Sequence, residues 1–251
     1  MQPVISVIIP CLNEEHYLPL LLEDLKNQTD KSFEVIVVDG HSNDKTKERA
    51  LSFKKDLQLH FIECPKRNTS LQRNTGAQKA KGEYLFFLDA DTRIAKDAMK
   101  NAIRHIRSEK HELYLPIISS SNPKLRYRVV VKFVITAVKF LHIVGRPFSI
   151  GPLILIKKEL FDKIGGFNLN LTISEDHNLI LTAHKFGVKA YFLSDVNCVF
   201  SMRRFERDGL FRIFWKYSFF TAETLLRGGI SREAPSYEMG GHNYDKPSFS
   251  E

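Results

Sequence analysis

Residues 86 to 93 read FFLDADTR: three apolar side chains, then two carboxylates, Asp89 and Asp91, separated by one alanine. Two aspartates at this spacing can share a hard divalent cation, which prefers oxygen ligands and keeps substrate phosphates in its remaining positions. In extended backbone a spacing of two sends both carboxylates to the same side. A plainer reading stands beside this one: Asp91 or Thr92 caps a helix beginning near Ala95, and Asp89 is a solvated strand end. An Asp-x-Asp by itself does not decide between them.

The elements around the pair favour chemistry. Apolar runs of strand length lie at residues 4 to 9, 33 to 38, 57 to 62 and 83 to 88, with helix-length stretches at 15 to 27, 45 to 54 and 70 to 80 between them. Strands apolar on both faces and separated by helices predict a parallel sheet covered on both sides. In such sheets ligands bind beyond the carboxyl ends of the strands. Those ends read PCLNEE, DGHSND, CPKRN and DADTR, and three of the four are acidic. Carboxylates gathered at one sheet edge repel one another, and each left buried without a partner costs several kcal/mol, roughly. A positive charge is therefore expected among them.

The chain has 251 residues, 43% hydrophobic and 26% charged, enough for one large α/β domain or two small ones with a true core. The three cysteines, Cys11, Cys64 and Cys198, are far apart and lack CxxC spacing, so neither a disulfide framework nor a zinc site is supported. The strand-like VISVIIP follows the first residues with no basic segment or cleavage site before it, which leads to the expectation of a cytoplasmic protein. A net charge of +8 favours an anionic partner without choosing among nucleotide, nucleic acid and lipid headgroup.

Three segments, VIIPCLNEEHYLPLLLEDLKNQ, FEVIVVDGHSNDKT and RNTGAQKAKGEYLFFLDADT, resemble in order the signatures of the inverting glycosyltransferases of family two. The resemblance is dense over residues 4 to 110 and looser over 150 to 205. It implies the GT-A fold: an α/β, Rossmann-like, mostly parallel central sheet flanked by helices. It also implies a nucleotide-diphospho-sugar donor. Carried over by motif, Pro10, Asn13 and Glu14 cradle the nucleobase, Asp39 contacts the nucleoside, Asp89 serves ribose or the metal shell, and Asp91 is the main ligand of Mn2+ or Mg2+. Arg73 and Asn74, in the R-N-x-G motif, lie beside the nucleotide; the alternative is a surface arginine on a helix that Gly76 lets pack against the sheet. Many members carry two acids after the second strand, whereas here Asp39 is followed by Gly40 and His41. The choice of base therefore stays open, and Gly40 suits a left-handed turn or a close approach of backbone to nucleoside.

Inversion needs a base on the face opposite the leaving diphosphate. In LTISEDHNLILTAHKFG, Ser174 is placed to cap a helix ending near Phe186 and Gly187, with Glu175 and Asp176 at its first positions. The helix dipole alone would favour acids there. The resemblance implies the second acid of a Glu-Asp motif as base, hence Asp176, with Glu175 next and His177 behind it. In SMRRFERDG, Arg203, Arg204 and Arg207 suit a diphosphate or merely form a solvated turn, and Arg204 is the candidate contact to the donor. The QxxRW motif of processive synthases is absent, so a single transfer is expected.

Residues 124 to 146 predict a helix on which Lys124, Arg128, Lys132, Thr136, Lys139, His142 and Arg146 form one stripe, with the remaining circumference mostly apolar. Two central lysines cost about 5 to 7 kcal/mol in a bilayer against about 3 to 6 gained from the aliphatic and Phe residues, so spanning is disfavoured. Lying in the headgroup region is one alternative; packing on the protein's own core or another subunit is the other. The aromatic stretch 205 to 226 is a second candidate for either. The expected organisation is a catalytic domain over 1–205, divided into a nucleotide-binding half at 1–110 and an acceptor half at 111–205, an amphipathic helix at 206–229 and a flexible tail at 230–251. Expected partners are the donor and a glycan or polyprenyl-phosphate acceptor, with peripheral association at the inner face of the cell membrane.

Other classes fit poorly. A nucleotidyltransferase needs a glycine-rich basic loop after the first strand, where PCLNEE is acidic, and a nicotinamide dehydrogenase needs GxGxxG there. No nucleic-acid partner is expected, because the aromatics follow core or amphipathic spacing rather than interleaving with clustered arginines. A noncatalytic nucleotide-sugar binder remains the competing reading.

Overall fold

Every residue of the strands β1 (Ile5–Cys11) and β2 (Phe33–Asp39) is buried, as it must be when helices cover both sheet faces. The computed structural model describes residues 2–201 except 123, 150, 152 and 172. The calls on Arg203, Arg204, Arg207, the 206–229 helix and the 230–251 tail lie outside these residues. After β1 and before β2 runs α1 (Leu18–Lys26); then come α2 (Thr46–Leu51) with a 3-10 turn, β3 (Leu59–Glu63), α3 (Thr69–Lys79) and β4 (Tyr84–Phe87). The second half adds β5 (Arg93–Ile94), α4 (Ala98–Glu109), β6 (Leu113–Ser120), α5 (Leu125–Ile143), β7 (Ile154–Lys157), α6 (Lys158–Lys163), α7 (Glu175–Lys185) and β8 (Tyr191–Phe200).

The eight strands form one sheet in the order β3-β2-β1-β4-β7-β6-β8-β5. The first four are mutually parallel, as the alternation of apolar runs predicts, and β7 runs antiparallel to both its neighbours. From β1 the chain moves outward to β2 and β3, then returns to β4 on the other side of β1. The order reverses there, and it is beyond the carboxyl ends of the strands at such a point, here β1 and β4, that open α/β sheets form a ligand crevice.

Alternate residues of the strands feed two apolar layers. Ile5, Val7, Ile9, Val35, Val37 and Phe86 pack with α1 and α4 on one face. Ile8, Ile36, Val38, Leu85 and Phe87 pack with α6 and α7 on the other. Helix α3 lies unusually close to this second face because Gly76 has no side chain: a Cβ there would stand 2.6 Å from Ile8 Cγ2 and 3.2 Å from Val38 Cγ2. Asn68 starts the helix by accepting a hydrogen bond from Leu71 N at 2.8 Å.

Two local expectations change. The helix expected near Ala95 begins at Ala98, with Asp97 at its N-cap position, because Arg93 and Ile94 pair with Val199 and Cys198 of β8. Asp24 of α1 fixes that short strand, accepting from Arg93 Nε and Nη2 at 2.6 Å each and from Ile94 N at 3.1 Å. The N-cap position of that helix is thus neither Asp91 nor Thr92. Ser174 stands at the N-cap position of α7 in a left-handed conformation, φ 64°, and makes no side-chain cap bond.

Replacing Gly76 by alanine is expected to cost about 1–3 kcal/mol, since Ile8 and Val38 must yield in a filled layer. Urea unfolding should show a lowered midpoint at an unchanged slope; an unaltered midpoint would mean that α3 is free to lift.

Candidate active site

The crevice is organised around a guanidinium. Arg73 on α3 is only 3% exposed, and its Nη1 donates to Glu175 Oε1 at 2.6 Å while Nη2 donates to Asp89 Oδ1 at 3.0 Å. The Phe167 ring centroid lies 5.2 Å from Arg73 Cζ. Arg73 Nε is buried and finds no hydrogen-bond partner among the described residues. Burial works against this charge, yet Asp89, Glu175 and Asp176 outweigh it and hold the group firmly protonated. The cation that the acidic strand ends require is thus supplied in part by the protein itself.

Glu175 and Asp176 open α7, and burial raises both carboxyls above the usual range, with Arg73 pulling in the opposite direction. Ser149 hydrogen-bonds the Asp176 carboxylate, as does the His177 backbone. Glu175 is committed to Arg73, whereas Asp176 meets Arg73 only through its field. His177 is a poorer proton acceptor than Asp176: burial pushes its imidazole down to about 4, and its ring packs 4.3 Å from that of Phe148. A carboxylate whose pKa is moved toward neutrality is suited to general-base work.

Asp89 and Asp91 do not lie in extended backbone. They occupy a turn closed by Thr92 N donating to Asp89 O at 3.0 Å, which differs from the extended geometry assumed from their spacing. Among the described residues no three His, Cys, Asp or Glu side chains gather as a ready-made metal site. Two hard oxygen donors on one turn still fit Mg2+ or Mn2+ when phosphate and water complete the shell. Asp89 is held by Arg73, and the preference for Asp91 as main ligand rests on the motif.

The loops after β1 and β2 are knitted together. Asn13, at φ 52°, donates from its backbone to Ser42 Oγ at 2.8 Å and accepts from Asn43 N at 2.9 Å. Glu14 N donates to Thr46 Oγ1 at 2.8 Å, and Pro10 lies within β1 beside Val38. Asp39 is 4% exposed and accepts from Ser42 N at 2.9 Å, from Ser42 Oγ, and from Cys11 Sγ at 3.5 Å. Burial and the neighbouring Asp39 push the Cys11 thiol well up, so it stays protonated. The left-handed residue is His41, φ 65°, rather than Gly40. Gly40 serves a close approach to protein: a Cβ there would stand 3.2 Å from the Gln72 amide, which donates to Cys11 O and Val38 O.

Asn74 faces a different partner from its motif neighbour. Its amide donates to Phe167 O at 2.8 Å and accepts from Phe167 N at 2.9 Å, fastening the 165–167 turn to α3. The site thus brings together Arg73, Asp89, Glu175 and Asp176, while Pro10, Asn13, Glu14 and Asp39 lie at the joined carboxyl ends of β1 and β2. Ser149 and Phe167 escaped the sequence reading, since neither belongs to a motif and both reach the site from distant segments.

Comparison with known proteins adds a family. The profile described as "Glycosyl transferase family 2" matches residues 6–171. An uncharacterized glycosyltransferase of Haemophilus influenzae is 29% identical over 189 residues, 71% of this chain and 61% of that protein. The Staphylococcus aureus poly(ribitol-phosphate) beta-N-acetylglucosaminyltransferase TarP is 32% identical over 115 residues, 44% of this chain and 35% of its own. Among solved structures, S. aureus TarS 1-349 with UDP-GlcNAc superposes with a TM-score of 0.63 at 23% identity, covering 80% of this chain and 58% of that one. The mannosyltransferase PcManGT from Pyrobaculum calidifontis, with GDP-Man and Mn2+, gives 0.65 at 24%, covering 80% and 57%. These structural likenesses bear on the fold. The chain spans between 35% and 61% of the length of the two curated relatives.

An Arg73→Gln variant is expected to lose about 3 kcal/mol near neutral pH, because it strands partly buried carboxylates without their counter-charge. The sign with pH follows from the raised carboxyls. Folded Glu175 and Asp176 hold protons longer than in the unfolded chain, so their contribution to stability falls as pH rises from the ordinary carboxylate range through their raised pKa values. Without Arg73 that fall extends further, and the variant's deficit should grow with pH. Urea unfolding across a pH series tests this; a deficit independent of pH would assign Arg73 to packing alone.

Proposed function

The chain belongs to glycosyl transferase family 2, and we propose that it moves a sugar from a nucleotide-diphospho-sugar to an acceptor hydroxyl or phosphate, with inversion at the sugar carbon. The observation that carries this reading is the meeting, through Arg73, of the Asp89 turn and the acidic start of α7 at the sheet's switch point. One side of the crevice then serves the leaving group and the other the attacking one.

In this reading the nucleoside rests against Pro10, Asn13, Glu14 and Asp39, and the diphosphate lies over the Asp89–Asp91 turn beside Arg73. Bound at Asp91 and Asp89, Mg2+ or Mn2+ would supply Lewis-acid stabilisation of the leaving diphosphate. Where the acceptor is a hydroxyl, Asp176 takes its proton as the oxygen bonds to the sugar carbon and the bond to the diphosphate breaks; an ionised acceptor phosphate attacks without that proton transfer. Its Ser149 contact aims the carboxylate, and its raised pKa gives it a basicity above that of an exposed aspartate. Glu175 holds Arg73 in place, which favours Asp176 over Glu175 as the base. Arg204, outside the described residues, is assigned to the diphosphate on its motif. The complexes of TarS with UDP-GlcNAc and of PcManGT with GDP-Man and Mn2+ support a sugar nucleotide and a divalent cation, and leave the base open. A polyprenyl phosphate at the inner membrane face is the acceptor we favour among glycans and lipid carriers, given the basic composition around α5.

Two measurements test the reading. A thermal-shift panel of UDP, GDP, CDP and dTDP sugars should show stabilisation by one nucleotide, about 2.7 kcal/mol at a hundredfold excess over Kd. That gain should depend on added Mn2+ or Mg2+ and shrink in Asp91→Asn. Asp176→Asn should keep the gain yet lose transfer by about 100-fold or more. Wild-type turnover in that variant would remove Asp176 as base, and tight binding without turnover on any acceptor would mark a noncatalytic binder.

A further inference from the structure

Helix α5 carries two apolar faces. Tyr127, Val131 and Val138 are buried, the first two in the apolar layer against the sheet. On the opposite side of the helix, Leu125, Val129, Phe133, Phe140, Ile143 and Val144 are between 50% and 81% exposed. At 100° per residue these six fall within one arc, centred nearly half a turn from the buried three. Scattered exposed aliphatics are normal on a protein surface, but a row of six along one helix, broken by exposed Thr136, marks a contact surface.

The charges beside the row select the partner. Lys124, Arg128, Lys132 and Arg146 are exposed and run along one flank of it. No aspartate or glutamate occurs between Glu112 and Glu159. A second copy of the chain docking through this face would bring like charges together, with no acid on the element to answer them. An anionic bilayer answers all of them: the apolar row enters the acyl boundary while the long basic side chains reach back to the headgroups. Among the described residues no helix is long and apolar enough to cross a membrane.

We infer that the outward face of α5, defined by Leu125, Val129, Phe133, Phe140, Ile143 and Val144 with its basic flank, docks the protein flat on an anionic lipid surface. The same segment leads into the candidate site. His142 Nε2 hydrogen-bonds Phe148 O at 2.8 Å, Phe148 packs on His177, and Ser149 reaches Asp176. These contacts link the end of α5 to the proposed base; that a docked protein meets a lipid-borne acceptor phosphate rests on the proposed transfer, while the docking itself does not.

Co-sedimentation of the full chain with vesicles of phosphatidylcholine, with and without phosphatidylglycerol, tests the surface. Binding is expected to require phosphatidylglycerol and to weaken with salt. The Phe133→Ser/Phe140→Ser variant should bind at least about tenfold more weakly, with an unchanged thermal midpoint because both rings are exposed. Arg128→Gln/Lys132→Gln should lose most of the phosphatidylglycerol dependence. Equal binding by the double serine variant, no binding by the wild type, or a lowered midpoint together with a smaller particle on gel filtration would overturn the inference, the last by showing that protein covers the face. Thermal stabilisation by sugar nucleotides is read in the same samples. Vesicle binding without it leaves the surface standing and removes the transfer, whereas stabilisation without vesicle binding does the reverse.

Discussion

A buried cation held by acids from separate segments is the constraint on which the site depends. Arg73 stands on α3, Asp89 follows β4, and Glu175 begins α7, yet the two ion pairs close at 3.0 and 2.6 Å. Leaving any one member unpaired in a low-dielectric crevice costs several kcal/mol, roughly, so the three segments can only settle together. Gly76 allows this by bringing α3 down onto Ile8 and Val38. Asn74 completes it from the other side by clasping both backbone groups of Phe167, whose ring lies against the guanidinium. The R-N-x-G stretch thus acts through three neighbours: one carries charge, one fastens a turn, and one yields space.

What could be read in advance divides along sequence distance. The four parallel strands and the helices between them follow from local apolar runs, and the acidic strand ends follow from their order. The need for a positive charge among those acids was also legible, but not its source: Arg73 and Glu175 are 102 residues apart, and no local pattern joins them. Strand β5 was missed for the same reason. Its two residues pair with β8, more than a hundred positions later, and a helix start was the better local reading of the same residues. Helix α5 was legible as a helix with a basic stripe, but its apolar circumference divides into a buried and an exposed arc only once the sheet is in place beneath it. Of the readings left open from sequence, core packing describes its inner side.

The loops proposed to face the nucleoside show how function and local structure could share residues. Asp39 accepts from Ser42 and from the Cys11 thiol, so its carboxylate is already fixed in direction. An ionised carboxylate offers about four lone-pair sites, so this fixing still leaves acceptor capacity for a nucleoside. Asn13 adopts φ 52° because its side chain answers Asn43 and its backbone answers Ser42, which together outweigh the strain of a left-handed residue. Both loops are stiffened before any ligand arrives, and a preformed wall lowers the ordering cost of binding.

The coupling through Arg73 also bears on how the proposed transfer would proceed. Asp176 feels the Arg73 charge without sharing its hydrogen bonds, which go to Glu175 and Asp89. As the acceptor's proton reaches Asp176, negative charge leaves one side of the guanidinium just as it grows on the diphosphate at the other. A fixed cation between the two needs no reorientation to follow that shift, and such preorganisation is where an electrostatic site contributes most. The same geometry disfavours Glu175 for the proton: taking it would neutralise the carboxylate paired with Arg73 Nη1 and weaken that contact from an ion pair to a neutral-acceptor hydrogen bond. In the proposed transfer the two adjacent acids at the start of α7 would divide the work, Glu175 anchoring the cation and Asp176 accepting the proton.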